Sequence, residues 1–180
     1  LRIRGLAHRR DRAGRAFELE LPSLSLDPGA RLALLGENGS GKSTLMSLLG
    51  LAARPDSARR FTLLDADVVA IWQASDGARL ERLRAGTISY LPQRDALLEF
   101  LTVRENIRCH GELSGHPRGD DDAEIVEALA LGELLDARPA ALSGGQRQRA
   151  AAACALARRP RLILADEPTA ALDAENARRV

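Results

Sequence analysis

Near the start of the chain apolar residues fall at every second position, and that rhythm predicts half-buried antiparallel strands. It runs through Leu1 to Leu6, through F-E-L-E-L at Phe17 to Leu21, and on to Leu24 and Leu26 before the turn D-P-G at Asp27 to Gly29. Phe61 to Leu64 and Thr87 to Leu91 are further strand candidates, with a short helix expected over Ala78 to Arg84. R-L-A-L-L at Arg31 to Leu35 is a short apolar run of buried-strand type, and apolar residues at 45, 48, 49 and 51 then take up helical spacing. From Thr102 the character turns helical. T-V-R-E is a capping box, with Thr102 as N-cap and Glu105 three residues on. D-D-A-E at Asp121 to Glu124 starts another helix, with Ile125, Val126 and Leu129 on one face, so the Asp120 to Asp122 charge run needs no special function. R-L-I-L at Arg161 to Leu164 predicts a strand buried on both faces, as in a parallel sheet. No internal repeat is visible.

Between the first apolar run and its helix lies G-E-N-G-S-G-K-S-T, Gly36 to Thr44. Of the 26 lysines and arginines in the chain, Lys42 is the single lysine. G-x-x-x-x-G-K-[ST] is a phosphate-binding loop. Its glycines free backbone N–H groups to cradle phosphates, and a lysine reaches the β and γ oxygens as a compact point charge that a planar guanidinium cannot match. Strand, loop, helix is the order this motif demands, and it delivers phosphate to a helix N-terminus. Ser43 then places its hydroxyl on Mg²⁺, and Thr44 donates to the α-phosphate. A glycine-rich turn opening an ordinary helix is the plainer alternative.

Composition describes one domain with a sizeable core. The chain has 180 residues, 45% of them hydrophobic and 28% charged, with a net charge of +1. That balance carries no footprint for nucleic acid or an anionic membrane, and 3% aromatic residues argue against stacking platforms for single strands. The longest apolar run, Ala150 to Ala157, is far too short to span a bilayer. The opening L-R-I-R has neither the look of a signal peptide nor an initiator Met. Cys109 and Cys154 make no disulfide or metal framework, which fits a reducing compartment. Cys109, His110 and His116 offer three ligands without a fourth, and read better as loop residues.

Three more segments carry chemistry. R-L-I-L-A-D-E-P sets Asp166 and Glu167 at the end of the last strand, where open α/β sheets bind ligands. In phosphate-loop enzymes such an aspartate holds Mg²⁺, and the next carboxylate polarises the water that attacks the γ-phosphate. A strand running into a polar turn is the alternative. L-S-G-G-Q-R-Q-R, Leu142 to Arg149, contains a capping box, S-x-x-Q, before an alanine-rich helix. A cap does not call for two consecutive glycines, however, and bare N–H groups there make a second anion seat. Y-L-P-Q, Tyr90 to Gln93, ends a strand on an amide and means nothing by itself.

Taken together, the loop, the glutamine, L-S-G-G-Q, the apolar-D-E run and A-L-D (Ala171 to Asp173) resemble the ABC-type ATPases in order and spacing, over nearly the whole chain. The resemblance implies an α/β fold: a P-loop NTPase with a RecA-like core, an antiparallel β subdomain in front, and a helical signature subdomain from about residue 94 to 142. It implies binding and hydrolysis of ATP with Mg²⁺ by two such domains packed head to tail, as a homodimer or with a paired ABC ATPase. Nucleotide-binding residues would be Gly36, Glu37, Asn38, Gly39, Ser40, Gly41, Lys42, Ser43 and Thr44. Leu142, Ser143, Gly144, Gly145 and Gln146 would meet the partner's nucleotide, and Asp173 would cross the dimer interface. Lys42, Gln93 and Glu167 would be catalytic, with Ser43, Gln93 and Asp166 serving the metal.

Departures from the family pattern sharpen the expectations. Where an aromatic residue usually stacks on adenine, Arg10 aligns best, with His8, Arg9 and Phe17 as the other candidates. Cys154 stands where arginine is common. The chain stops at Val180, before the next core strand and the histidine that follows it, and His8, His110 and His116 lie elsewhere. This reads as a fragment a few dozen residues short, expected to hydrolyse ATP far more slowly than the full subunit. L-A-D-E-P-T and L-T-V-R-E-N-I look like the lipoprotein-release and macrolide-export group, although Ala170 and Ala171 replace its usual Gly-Asn. The implied role is the ATP-binding subunit of a transporter, peripheral on the cytoplasmic face of the inner membrane, working with a membrane permease and no nucleic acid. Gln93 to Ile107 would receive a cytoplasmic helix of that permease. A soluble ABC ATPase acting on DNA or ribosomes, and a non-catalytic regulatory subunit, are the alternatives.

Overall fold

The alternating start of the chain forms β1 (Arg2–Arg12) antiparallel to β2 (Arg15–Ser25), with Ile3 opposite Leu24 and Leu6 opposite Leu21. β3 (Arg60–Leu63) lies on the other side of β1 and brings Phe61 opposite Ile3, and the two-residue β4 (Ala66–Asp67) closes the sheet in the order β2-β1-β3-β4. Ile3, Phe61 and Leu63 are buried as the alternation requires, and Leu6, three positions from Ile3 and beyond Gly5 with its φ of 56°, is buried as well. These coordinates are a computed structural model describing residues 1–12, 15–93, 96–114 and 121–168, in two compact units, Leu1–Arg84 and Ala85–Val180.

The first unit also holds α1 (Lys42–Leu49) and α2 (Val68–Gln73). Valine and isoleucine are weak helix formers, and sequence reasoning missed α2. Asp67 fixes it by accepting the Ala70 N–H at 3.1 Å, and Trp72 packs edge-on against Phe61 with ring centroids 5.3 Å apart. The expected short helix is α3 (Gly77–Thr87), in which the boundary between the units falls.

One expectation fails in this unit. Arg31 to Leu35 is not a strand: it joins no ladder, and Leu32 and Leu35 are 50% and 90% exposed. An apolar run becomes a buried strand only when neighbours pair with it, and no described strand of this unit does.

In the second unit β5 (Ile88–Leu91) and β6 (Leu162–Ala165) pair in parallel, Ile88 with Leu162 through Leu91 with Ala165. Burial on both faces is not observed: Leu164 is buried, but Ile163 is 44% exposed. α4 (Val103–Leu113) and α5 (Asp121–Ala128) pack on α6 (Gly144–Ala157), whose alanines let backbones approach closely. Leu91, Val103, Ile107, Leu129, Leu131 and Leu142 complete that core. Cys154 is part of it, and burial pushes its thiol up to about 12, so it acts as a small apolar residue.

Both helix starts read from the sequence form as read. Thr102 accepts the Glu105 N–H while the Glu105 carboxylate accepts from the Thr102 N–H at 2.8 Å and hydroxyl at 3.1 Å, and the bonds it accepts hold that exposed carboxyl below its usual range. Above that cap sits Asn106, fully buried. Its Oδ1 accepts the Leu98 N–H at 2.7 Å, and its Nδ2 donates to the carbonyls of Leu98, Leu101 and Thr102 at 3.1, 3.2 and 2.9 Å. One side chain therefore ties the Leu98 to Thr102 loop to α4. Asn106→Leu fills similar space and strands the Leu98 N–H and the Leu101 carbonyl, while the Leu98 and Thr102 carbonyls keep backbone partners. We expect a loss of about 2–4 kcal/mol, read as a fall of roughly 5–15 °C in melting temperature. A change below about 1 kcal/mol would show that the loop finds other partners.

Candidate active site

One candidate site, in the first unit, is the glycine loop that opens α1. Gly36, Gly39 and Gly41 all have positive φ. At Gly36 a Cβ would sit 2.7 Å from the Ser40 hydroxyl, and at Gly41, with φ of 95°, it would lie 2.4 Å from Cζ of Phe17. Both positions hold a backbone conformation that disfavours a side chain, and Ser40 or Phe17 would have to move to admit one. Lys42 folds back over the loop, donating to the carbonyls of Gly36 at 2.6 Å and Glu37 at 2.8 Å. No side chain caps α1 and no carboxylate sits in its first turn, so its leading N–H groups are left for an outside acceptor. Ser43 is exposed at that turn.

Of the residues considered for adenine stacking, Phe17 is the one seen against this loop. His8 faces Asp56, with Nδ1 3.3 Å from a carboxylate oxygen, and the Arg9 backbone N–H donates to the same carboxylate at 2.6 Å. Arg10 is the cross-strand neighbour of Phe17, although its side chain lies outside the described residues.

A second candidate site, in the other unit, lies at the C-terminal ends of β5 and β6. Parallel pairing in register delivers the two strand ends together, and the Asp166 N–H donates to the Leu91 carbonyl at 2.9 Å. Gln93 and Glu167 meet there, the Gln93 amide donating to Glu167 Oε2. Glu167 adopts left-handed backbone, φ 48°, which is uncommon for a residue with a Cβ. The Tyr90 hydroxyl donates to Asp166 Oδ2 at 3.3 Å. Partial burial and the Asp166 charge both push the Tyr90 phenol above its ordinary value, so it remains a donor at neutral pH. Sequence reasoning missed this partner, because nothing local in Y-L-P-Q points a hydroxyl 76 residues along the chain.

The signature segment forms the first turn of α6. Ser143 Oγ accepts the Gln146 N–H at 3.3 Å, and Gln146 Oε1 accepts the Ser143 N–H at 2.8 Å. The capping box is therefore real, and it occupies Ser143 and Gln146 while Gly144 and Gly145 open the helix. Leu142 is buried beneath them. Asp173, with the rest of A-L-D, and His116 lie outside the described residues. Among the described residues, no three His, Cys, Asp or Glu side chains cluster to hold a metal. Ser43 and Asp166, one in each unit, each carry a hard oxygen donor of the kind magnesium prefers, and that ion commonly takes only one or two protein ligands with water and phosphate.

The family model described as ABC transporter matches residues 19–170 of the chain. The chain is 38% identical over 177 residues to the lipoprotein-releasing system ATP-binding protein LolD 2 of Caulobacter vibrioides, covering 96% of this chain and 75% of that protein. It is 40% identical over 157 residues to the macrolide export ATP-binding/permease protein MacB of Brucella melitensis, covering 86% of this chain and 24% of that protein. Among solved structures, a dimeric post-hydrolysis state of the ATP-binding cassette MJ0796 bound to ADP and Pi matches with a TM-score of 0.81 at 26% identity, over 99% of this chain and 78% of that one.

Proposed function

The chain belongs to the ABC transporter family of ATP-hydrolysing cassettes, and from that premise we propose that it powers an exporter of the lipoprotein-release or macrolide-efflux kind. It sits as a peripheral subunit on the cytoplasmic face of the membrane, paired with a second cassette and bound to a permease. Among the described residues no helix is long and apolar enough to cross a membrane.

The observation that carries the reading is the Gln93–Glu167 contact beside Asp166. It supports a division of labour. Lys42 and the first-turn N–H groups of α1 bind the β- and γ-phosphates, while Ser43 and Asp166 hold Mg²⁺ and Gln93 senses it. The ion supplies charge neutralisation at the phosphate oxygens. Glu167 orients a water and takes its proton as the water oxygen bonds to the γ-phosphorus. The bond to the β–γ bridging oxygen breaks with its electron pair, leaving ADP and inorganic phosphate. Ser143, Gly144 and Gly145 of the opposing cassette close the site on the γ-phosphate, with Asp173 at that interface. The region from about residue 94 to 142 forms the helical signature subdomain. Within it, the segment from Gln93 to Ile107, with Leu98 40% and Phe100 71% exposed, receives a helix of the permease.

Lys42→Ala tests the nucleotide assignment. It removes a charge-assisted contact worth about 1.5–3 kcal/mol. Calorimetry at matched Mg²⁺ is expected to show ATP affinity weakened by about 10- to 150-fold. Equal affinity in both proteins would refute the assignment.

A further inference from the structure

Two apolar side chains flank an acidic one in the loop after Gln93, and the acidic one is engaged. The Glu99 carboxylate accepts from Nη2 of Arg147, and Nη1 of the same guanidinium donates to the Pro139 carbonyl at 3.0 Å. Arg147 is in the opening turns of α6, and its backbone N–H bonds to the Ser143 carbonyl at 2.9 Å. One arginine therefore joins three segments: the Leu98–Phe100 loop, the turn before the signature, and the signature turn itself. A planar guanidinium can serve acceptors in two directions at once, which an ammonium on a flexible stem does poorly.

The loop end of this link is stiff. Asn106 grips Leu98, Leu101 and Thr102, and the Leu101 N–H closes the turn onto the Leu98 carbonyl at 3.1 Å. A push on Leu98 or Phe100 would thus move Glu99 rather than deform the loop around it. The ion pair itself is about half exposed, with side-chain exposures of 36% for Arg147 and 54% for Glu99. Exposed pairs add little to stability, so holding the fold together is a poor account of this one.

We propose that Arg147 is a positioning residue that transmits occupation of the Leu98–Phe100 loop, through Glu99, to the first turn of α6. The occupant is the permease helix assigned above, so the inference rests on that reading. When the helix seats, Glu99 carries the guanidinium with it, and the Ser143 turn takes the orientation that meets the opposing nucleotide. Both ends of the link bias one element, which is what a coupling claim requires.

The test uses the full-length subunit with and without its permease in membranes. Four proteins are compared: the parent, Glu99→Arg, Arg147→Glu, and the charge-exchanged double variant. The readout is the ratio of permease-stimulated to unstimulated ATPase, with melting temperature and permease co-purification measured beside it. Each single reversal is expected to lower the ratio by about fivefold or more, with the melting temperature within about 3 °C of the parent. The double variant restores the charge pair but not the bond to the Pro139 carbonyl, so it should recover part of the loss, to within about threefold of the parent. Unchanged ratios in the single variants, or no recovery in the double, overturn the link. So does a parallel fall in unstimulated rate and melting temperature, which would mark a structural role. Loss of permease binding that the double variant does not restore would mean that Glu99 touches the permease directly, and also overturns it. A parent that binds no permease and shows no stimulation removes the proposed function, and the inference falls with it.

Discussion

Glu167→Gln is expected to lower ATP turnover by about 10²- to 10³-fold while leaving ATP binding intact. The reason is geometric. Glu167 is oriented by the Gln93 amide donating to one of its oxygens, and an amide replacement still offers an oxygen to that donor. Shape and orientation survive, but the group no longer accepts a proton from water. Because ATP then binds without being consumed, the closed dimer should accumulate. Steady-state ATPase and light scattering of the full-length subunit check both halves. A fall of less than about tenfold would mean that another group does the proton transfer.

Ser143→Arg is expected to abolish ATP-driven dimerisation while monomer affinity for ATP changes little. Two effects of the substitution must be separated. Ser143 caps α6 through the reciprocal pair with Gln146, and losing that cap costs about 1 kcal/mol. The arginine also sets a long cationic side chain before the glycines that would face the opposing nucleotide. Ser143→Ala loses only the cap, so it should retain most dimerisation. On the Glu167→Gln background, light scattering with ATP should find dimers for the parent and for Ser143→Ala, and monomers for Ser143→Arg. Persistent dimers with the arginine variant would contradict the head-to-tail arrangement.

The features most legible in the sequence were those decided within a few residues. Both capping boxes follow from side chains three positions from their backbone partners, and the glycine loop follows from spacing alone. The β1–β2 pairing was legible because alternation fixes which face is buried. Arg31 to Leu35 was misread because an apolar run states a demand for neighbours without saying whether they are present. Ile163 was placed on a covered face for the same reason. α2 escaped notice because β-branched residues argue against helix, and a single aspartate cap decides the matter. In the site, the residue types at the strand ends were readable, but Tyr90 on Asp166 was not. The Glu99–Arg147 pair and the four-bonded Asn106 were equally silent, since each depends on how separate segments fold together.

The left-handed backbone at Glu167 sets durability against turnover at a single position. A side chain in that region is disfavoured by roughly 1 kcal/mol relative to glycine, and asparagine tolerates it better than glutamate does. The chain would hold together better without its own proposed base. A laboratory selection for heat resistance alone would drift toward glycine or asparagine at this position, and its winners would bind ATP but turn it over far more slowly.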